Sequence, residues 1–145
     1  MNIREIMTTK PSCCLPEDTA QTVAKMMCDS NVGSIPVVTD RKSRKLVGII
    51  TDRDLCCTIV AKGLDPAVTS IREYMRSNPV ACRPDESLET CEHAMQKHQV
   101  RRVPVIDQNG CCIGIVSQAD IALKDDSQKV SRTVAEISRP HAFAA

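Results

Sequence analysis

Aromatic side chains are nearly missing from this chain: tryptophan is absent, and Tyr74 and Phe143 are its only aromatic residues. Stacking platforms for single-stranded nucleic acid or for sugars would have almost nothing to be built from. A charge of one sign is missing as well. With 19 Lys and Arg against 18 Asp and Glu, the net charge of +1 sets up no long-range field toward nucleic acid or a membrane surface. No apolar run approaches the ~18 residues of a membrane span. The opening Met1-Asn2-Ile3-Arg4-Glu5 lacks the apolar stretch of a signal peptide. Glycine (5) and proline (8) are too few for a low-complexity or collagen-like chain. With 42% hydrophobic and 26% charged residues, the 145 residues read as one ordinary globular domain or two very small ones.

Cysteine, in contrast, is plentiful. The 9 cysteines are odd in number, and six stand in adjacent pairs, Cys13-Cys14, Cys56-Cys57 and Cys111-Cys112, unlike the spaced framework of a secreted disulfide scaffold. Reduced thiols and a cytoplasmic location are expected. Cys-x-x-Cys does not occur, and His93, His98 and His141 lack zinc-site spacing, so no metal site is expected. Adjacent cysteines on a strand point to opposite faces and cannot jointly chelate one ion. They suit core filling, and an exposed member could act as a thiol switch.

The chain repeats itself. At an offset of 68, residues 3–40 and 71–108 share Ile3/Ile71, Arg4/Arg72, Glu5/Glu73, Met7/Met75, Pro11/Pro79, Cys14/Cys82, Pro16/Pro84, Thr22/Thr90, Met27/Met95, Val32/Val100, Pro36/Pro104 and Val37/Val105. Chance would supply roughly two such identities. A two-residue shortening then brings Gly48-Ile49-Ile50-Thr51-Asp52-Arg53-Asp54 onto Gly114-Ile115-Val116-Ser117-Gln118-Ala119-Asp120. The spacing divides the chain into a first repeat with a short leader helix over 1–66, a second repeat over 67–126, and a C-terminal helix and tail over 127–145.

Within each copy the periodicities give strand, helix, strand, strand, helix. A small strand is expected between Pro11 and Pro16, and between Pro79 and Pro84. The first helix is capped by Asp18 or Thr19 with Ala20, Val23, Ala24 and Met27 on one face, and in the second copy by Ser87 with Leu88, Cys91, Ala94, Met95 and His98. Ile35-Pro36-Val37-Val38 and Val103-Pro104-Val105-Ile106 pair as hairpins with Leu46–Thr51 and Cys111–Ser117. Helices from Asp52, stopped by Gly63, and from Gln118 complete the copies. Units this small bury too little alone, so the copies should pack about a pseudo-twofold axis as one α+β module. The cleft between them is the place for a site. The basic run Arg41-Lys42-Ser43-Arg44-Lys45 falls in a hairpin turn and reads as solvated. Beyond it, Val130, Val134 and Ile137 form one stripe of a further helix that packs on the module or on a partner, with a loose tail from Arg139 to Ala145.

Thr51-x-x-Asp54 and Ser117-x-x-Asp120 recur at the strand-to-helix junctions. As capping boxes, hydroxyl and carboxylate would satisfy free backbone N–H groups. As a binding device, the carboxylate would accept from the two hydroxyls of a ribose while the Ser or Thr hydroxyl orients a sugar or phosphate oxygen. Both uses need the same geometry.

These motifs, with Ile35-Pro36-Val37 and Val103-Pro104-Val105, resemble a tandem pair of cystathionine-β-synthase-type (CBS) domains, a Bateman module, over nearly everything from Ile3 to Lys124. The resemblance implies two β-α-β-β-α repeats binding an adenosyl ligand (AMP, ADP, ATP, NAD(H) or S-adenosylmethionine) between them. It implies ribose contacts from Asp54, Asp120, Thr51 and Ser117. Base contacts would come from Cys13, Val32 and Ile49 at one site, and from Val80, Val100 and Ile115 at the other. Arg101 and Arg102, whose equivalents are Gly33 and Ser34, and Arg53, whose equivalent is Ala119, suit bidentate phosphate contacts and make the two sites unequal. The implied function is a free-standing regulatory module without catalytic residues, a homodimer that signals to an effector protein in trans. A protein-interaction scaffold in which the motifs only cap helices, or a thiol-based redox sensor, are the alternatives.

Overall fold

The structure is a computed structural model and describes residues 1–140. A short 3-10 turn, Ile3–Glu5, leads into a two-residue strand β1 (Thr8–Thr9). The first copy continues with α1 (Ala20–Ser30), β2 (Ser34–Val38), β3 (Leu46–Thr51) and α2 (Asp52–Leu55), which runs on as a π-turn over Cys56–Val60. The second has β4 (Arg76–Ser77), α3 (Leu88–His98), β5 (Arg102–Ile106), β6 (Cys112–Ser117) and α4 (Gln118–Lys124), and α5 (Ser127–Ile137) closes the chain. Of the expected tail, residues 141–145 lie outside the described residues.

The elements form for local reasons. Thr19 and Ser87 accept from Thr22 N–H and Thr90 N–H and so cap α1 and α3. Ala20, Val23 and Met27 on α1, and Leu88, Cys91 and Met95 on α3, are buried, while His98 is exposed despite its place on the stripe. The helices end in left-handed Asn31 and Gln99. The hairpins β2–β3 and β5–β6 are antiparallel with equivalent registers, Pro36 opposite Ile49 and Pro104 opposite Ile115.

The strand expected between Pro11 and Pro16 is reduced to a single parallel bridge, Cys14 to Val37, and its counterpart to Cys82 with Val105. Cys14 N–H donates to Pro36 O and its carbonyl accepts from Val38 N–H, both at about 3 Å. Prolines on either side have no N–H to extend that ladder. The third strand of each sheet comes instead from the other copy's leader. β1 pairs with β6 of the second repeat and β4 with β3 of the first, giving sheets ordered β1-β6-β5 and β2-β3-β4.

The cores follow this exchange. Ile3 and Ile6 sit in the core with Met95, Val103, Val105, Val116 and Ile121. Ile71, the equivalent of Ile3, sits in the core with Val23, Ile35, Val37 and Ile50. Gly48 and Gly114 make room for the exchange. A Cβ at Gly114 would lie 2.6 Å from Met7 Sδ and 3.1 Å from Thr8 O, and one at Gly48 would lie 2.9 Å from Arg76 O. The glycine of each motif therefore admits the incoming strand. At the turn ends the hairpins join each other, with Leu46 N–H donating to Gly110 O and Cys112 N–H to Arg44 O. Helix α5 packs on α3 and buries Thr133 and Ile137.

Candidate functional site

The last residue of β3 and of β6 is the N-cap of the following helix. Thr51 and Ser117 keep extended backbone (φ −112° and −109°), so their side chains face the first turn. Thr51 Oγ1 accepts from Asp54 N–H at 3.1 Å while Asp54 Oδ2 accepts from Thr51 N–H at 3.0 Å. In the second copy Ser117 Oγ accepts from Asp120 N–H at 3.1 Å, and Asp120 Oδ2 accepts from Ser117 N–H at 2.7 Å and Ser117 Oγ at 2.8 Å. Both motifs are capping boxes in fact, and each uses only one carboxylate oxygen.

The remaining oxygens differ. Asp54 Oδ1 is held by the Arg76 guanidinium, at 3.3 Å from Nε and 3.2 Å from Nη2. The residue equivalent to Arg76 is Thr8, and among the described residues nothing donates to Asp120 Oδ1. An incoming hydroxyl pair must displace a guanidinium at Asp54, whereas at Asp120 the acceptor is free.

Asp120 opens into a cleft of about 390 Å³ between the copies, a volume within the range of small-ligand pockets. Three stretches line it: Thr8, Lys10, Pro11 and Ser12 from the leader; Asn31, Val32, Ser34, Ile35 and Pro36 after α1; and Arg102, Ile115, Ser117 and Asp120 from the second copy. Pairing of Thr8 with Ile115 lays the leader along one wall. The left-handed cap at Asn31 (φ 52°) turns the chain so that Val32 follows on the other. Ser34 is 4% exposed, and its Oγ is buried without a hydrogen-bond partner among the described residues. The Arg102 guanidinium reaches across to the first copy, where a Cβ on Gly33 would stand 3.5 Å from its Nη1. The lining thus offers apolar walls, a free carboxylate oxygen, an unsatisfied hydroxyl and two cations, Lys10 and Arg102, and it contains no cysteine or histidine.

The cleft gathers five of the residues singled out from sequence: Ser117, Asp120, Arg102, Val32 and Ile115. It regroups the apolar ones. Val32 faces Ile115 and not Ile49, because the leaders cross between copies, and Val80 and Val100 are partly buried against the core of the second copy. Arg53 is exposed; its backbone N–H donates to Asp52 Oδ1, its carbonyl accepts from Cys56 N–H, and among the described residues its guanidinium has no hydrogen-bond partner. Arg101 is exposed, and its carbonyl accepts from Gln118 N–H. Cys13 turns away toward Arg44. Sequence reasoning missed Thr8, Lys10, Ser12, Asn31 and Ser34; only Asn31, an αL-tolerant residue at a helix end, carried a local signal.

Residues 3–60 and 71–125 match the CBS domain. The chain belongs to the CBS domain family. It is 37% identical over 128 residues, 88% of each chain, to the CBS domain-containing protein YhcV of Bacillus subtilis. It is 33% identical over 141 residues, 97% of this chain and 96% of the other, to Hypoxic response protein 1 of Mycobacterium tuberculosis. The crystal structure of that response protein, with two coordinated zinc ions, superposes with a TM-score of 0.78 at 32% identity, covering 87% of this chain and 100% of the other. The CBS domain pair of protein MJ0100, crystallised with 5′-methylthioadenosine and S-adenosyl-L-methionine, superposes with a TM-score of 0.75 at 28% identity over 85% and 94%. In this CBS pair no group of three or more His, Cys, Asp or Glu among the described residues is placed to hold a metal ion. None of its described helices is long and apolar enough to cross a membrane.

Proposed function

We propose that this CBS pair is a regulatory module that binds one adenosyl ligand carrying a phosphate or carboxylate group in the Asp120 cleft and passes its occupancy to another protein as a homodimer. The observation that carries the reading is the pairing, in one inter-repeat cleft, of a free carboxylate oxygen on Asp120 with the Arg102 guanidinium and the unsatisfied Ser34 hydroxyl. Asp120 accepts from the ribose hydroxyls and Ser117 supports it. Val32 and Ile115 hold the base between apolar walls, and Arg102 with Lys10 neutralises phosphate or carboxylate. The Thr51–Asp54 side, with Arg76 on its carboxylate, is the weaker or empty one. Arg53 and Arg101 stand outside this cleft, and a contact from either would need a ligand that extends beyond it. The adenosyl compounds crystallised with the MJ0100 pair support the adenosyl class of ligand.

Thermal unfolding against AMP, ADP, ATP, NAD, NADH and S-adenosylmethionine tests this. At 100 times its dissociation constant a ligand adds about 2.7 kcal/mol, a shift of several degrees in a chain this small. The shift should vanish in Asp120→Ala and persist in Asp54→Ala. No shift with any of the six, or loss in Asp54→Ala alone, would refute the reading.

A further inference from the structure

The basic turn is not simply solvated. Arg44 stands in left-handed backbone (φ 58°) and folds its guanidinium inward, where Nη2 donates to Pro11 O at 2.6 Å and to Cys13 Sγ at 3.1 Å. Its own carbonyl accepts the N–H of Cys112 at 2.8 Å. One residue thereby grips a cysteine from each copy. The leader strand runs antiparallel along β6, with Thr9 opposite Gly114 and Lys10 N–H donating to Ile113 O, so Cys13 arrives beside Cys112. As thiols, Cys13 Sγ donates to Pro11 O at 3.4 Å and Cys112 Sγ to Gly114 O at 3.6 Å. Cys13 is half-buried and reachable, and Cys112 is buried behind it; all nine cysteines are free.

The two sulfurs are chemically unlike. The neighbouring Cys112, then the Arg44 charge and hydrogen bond, outweigh burial and hold Cys13 at about 7. The neighbouring Cys13, and burial, push Cys112 upward. The neighbouring Cys14, buried and facing Asp18, is pushed up to about 12. Near neutral pH this leaves one accessible thiolate, fixed by a guanidinium, with a second cysteine held through its backbone N–H by the same arginine.

We propose that Cys13 is a peroxide-reactive thiolate and Cys112 its resolving partner, which together form a disulfide across the two CBS repeats. The Cys13 thiolate attacks a hydroperoxide oxygen: an S–O bond forms, the O–O bond breaks, and the departing hydroxide (or alkoxide) takes a proton from water. The Cys112 sulfur then attacks the Cys13 sulfenic acid. An S–S bond forms, the S–O bond breaks, and hydroxide leaves with the Cys112 proton as water. Two electrons pass from the sulfurs to the peroxide. Pro11 and Ser12, next to Cys13, line the Asp120 cleft, yet the disulfide is independent of any ligand.

Treatment of the full chain with hydrogen peroxide, blocking of free thiols and peptide mapping under non-reducing conditions tests this. The expected product is a Cys13–Cys112 cross-linked peptide. In Cys112→Ala, dimedone should instead label Cys13 as a trapped sulfenic acid. Should that variant misfold, iodoacetamide labelling of unmodified wild-type protein against pH provides a second reading, with Cys13 expected to react with a midpoint of about 7 rather than the roughly 8.5 of a free thiol. Oxidation confined to the exposed Cys28, Cys56 and Cys57, a disulfide from Cys13 to any other cysteine, or a Cys13 midpoint near 8.5 would overturn the proposal.

Discussion

Glu92 shows how much one buried side chain can matter. It is 3% exposed on α3, and its Oε1 accepts from Thr133 Oγ1 of α5 at 3.1 Å, while Gln96 Nε2 donates to the same hydroxyl at 3.0 Å. Burial raises its carboxyl above the usual range and the neighbouring Asp125 raises it further, against lowering by Thr133 and Lys129. A carboxyl raised in the folded state favours folding most below its unfolded pKa of about 4.3, and that advantage is lost as pH rises through the folded value. Glu92→Gln keeps the Thr133 hydrogen bond without the ionisation. Urea midpoints of the two proteins should therefore agree near pH 4 and diverge toward pH 8, with Glu92→Gln the more stable by on the order of 1 kcal/mol. Parallel pH profiles would remove the argument. At this scale the sequence was only partly legible: Asp120 and Ser117 were singled out by the repeat, and Val32 and Ile115 by the family resemblance, but a glutamate on a polar-looking face gave no sign that α5 would cover it.

At the scale of elements, the leader is the segment whose role differs most from its size. Two exposed strand residues extend the sheet of the second repeat and two isoleucines belong to its core, Ile3 being fully buried and Ile6 4% exposed. Truncating one buried Ile to Ala costs roughly 2–5 kcal/mol, a large part of the 5–15 kcal/mol that holds an ordinary domain together. Removal of residues 1–9 should therefore lower the denaturant midpoint sharply and expose the second core to hydrogen exchange before the first. An unchanged midpoint would mean that β1 is an ornament. The hairpins, helix caps and motif junctions could be read locally because turn residues, cap residues and period act over a few positions. The exchange of leaders could not, since pairing Thr9 with Gly114 depends on residues far apart in the chain.

On the whole molecule, apolar side chains remain uncovered on the helices that follow the two motifs. Val60 is 73% and Leu123 84% exposed, with Cys56 and Cys57 exposed on the same turn as Val60. An apolar face of this kind suits a second copy of the chain. Sedimentation equilibrium should give twice the chain mass, and Val60→Asp with Leu123→Asp should halve it while leaving the folded chain intact. A wild-type protein sedimenting at the 15.9 kDa of one chain would contradict the proposed dimer.

Sequence alone determined the duplication, the α+β order of each copy and the placement of a hydroxyl–carboxylate motif at both strand-to-helix junctions. Those features are written in local spacing and repeated by the offset of 68 that shortens to 66. Tertiary structure decided which carboxylate is free, because Arg76 reaches Asp54 only after β4 has crossed to β3. It likewise decided that Val32 faces Ile115, and that Arg44 joins Cys13 to Cys112. These contacts are made between segments brought together by packing, and packing leaves no period in the sequence by which they could be read.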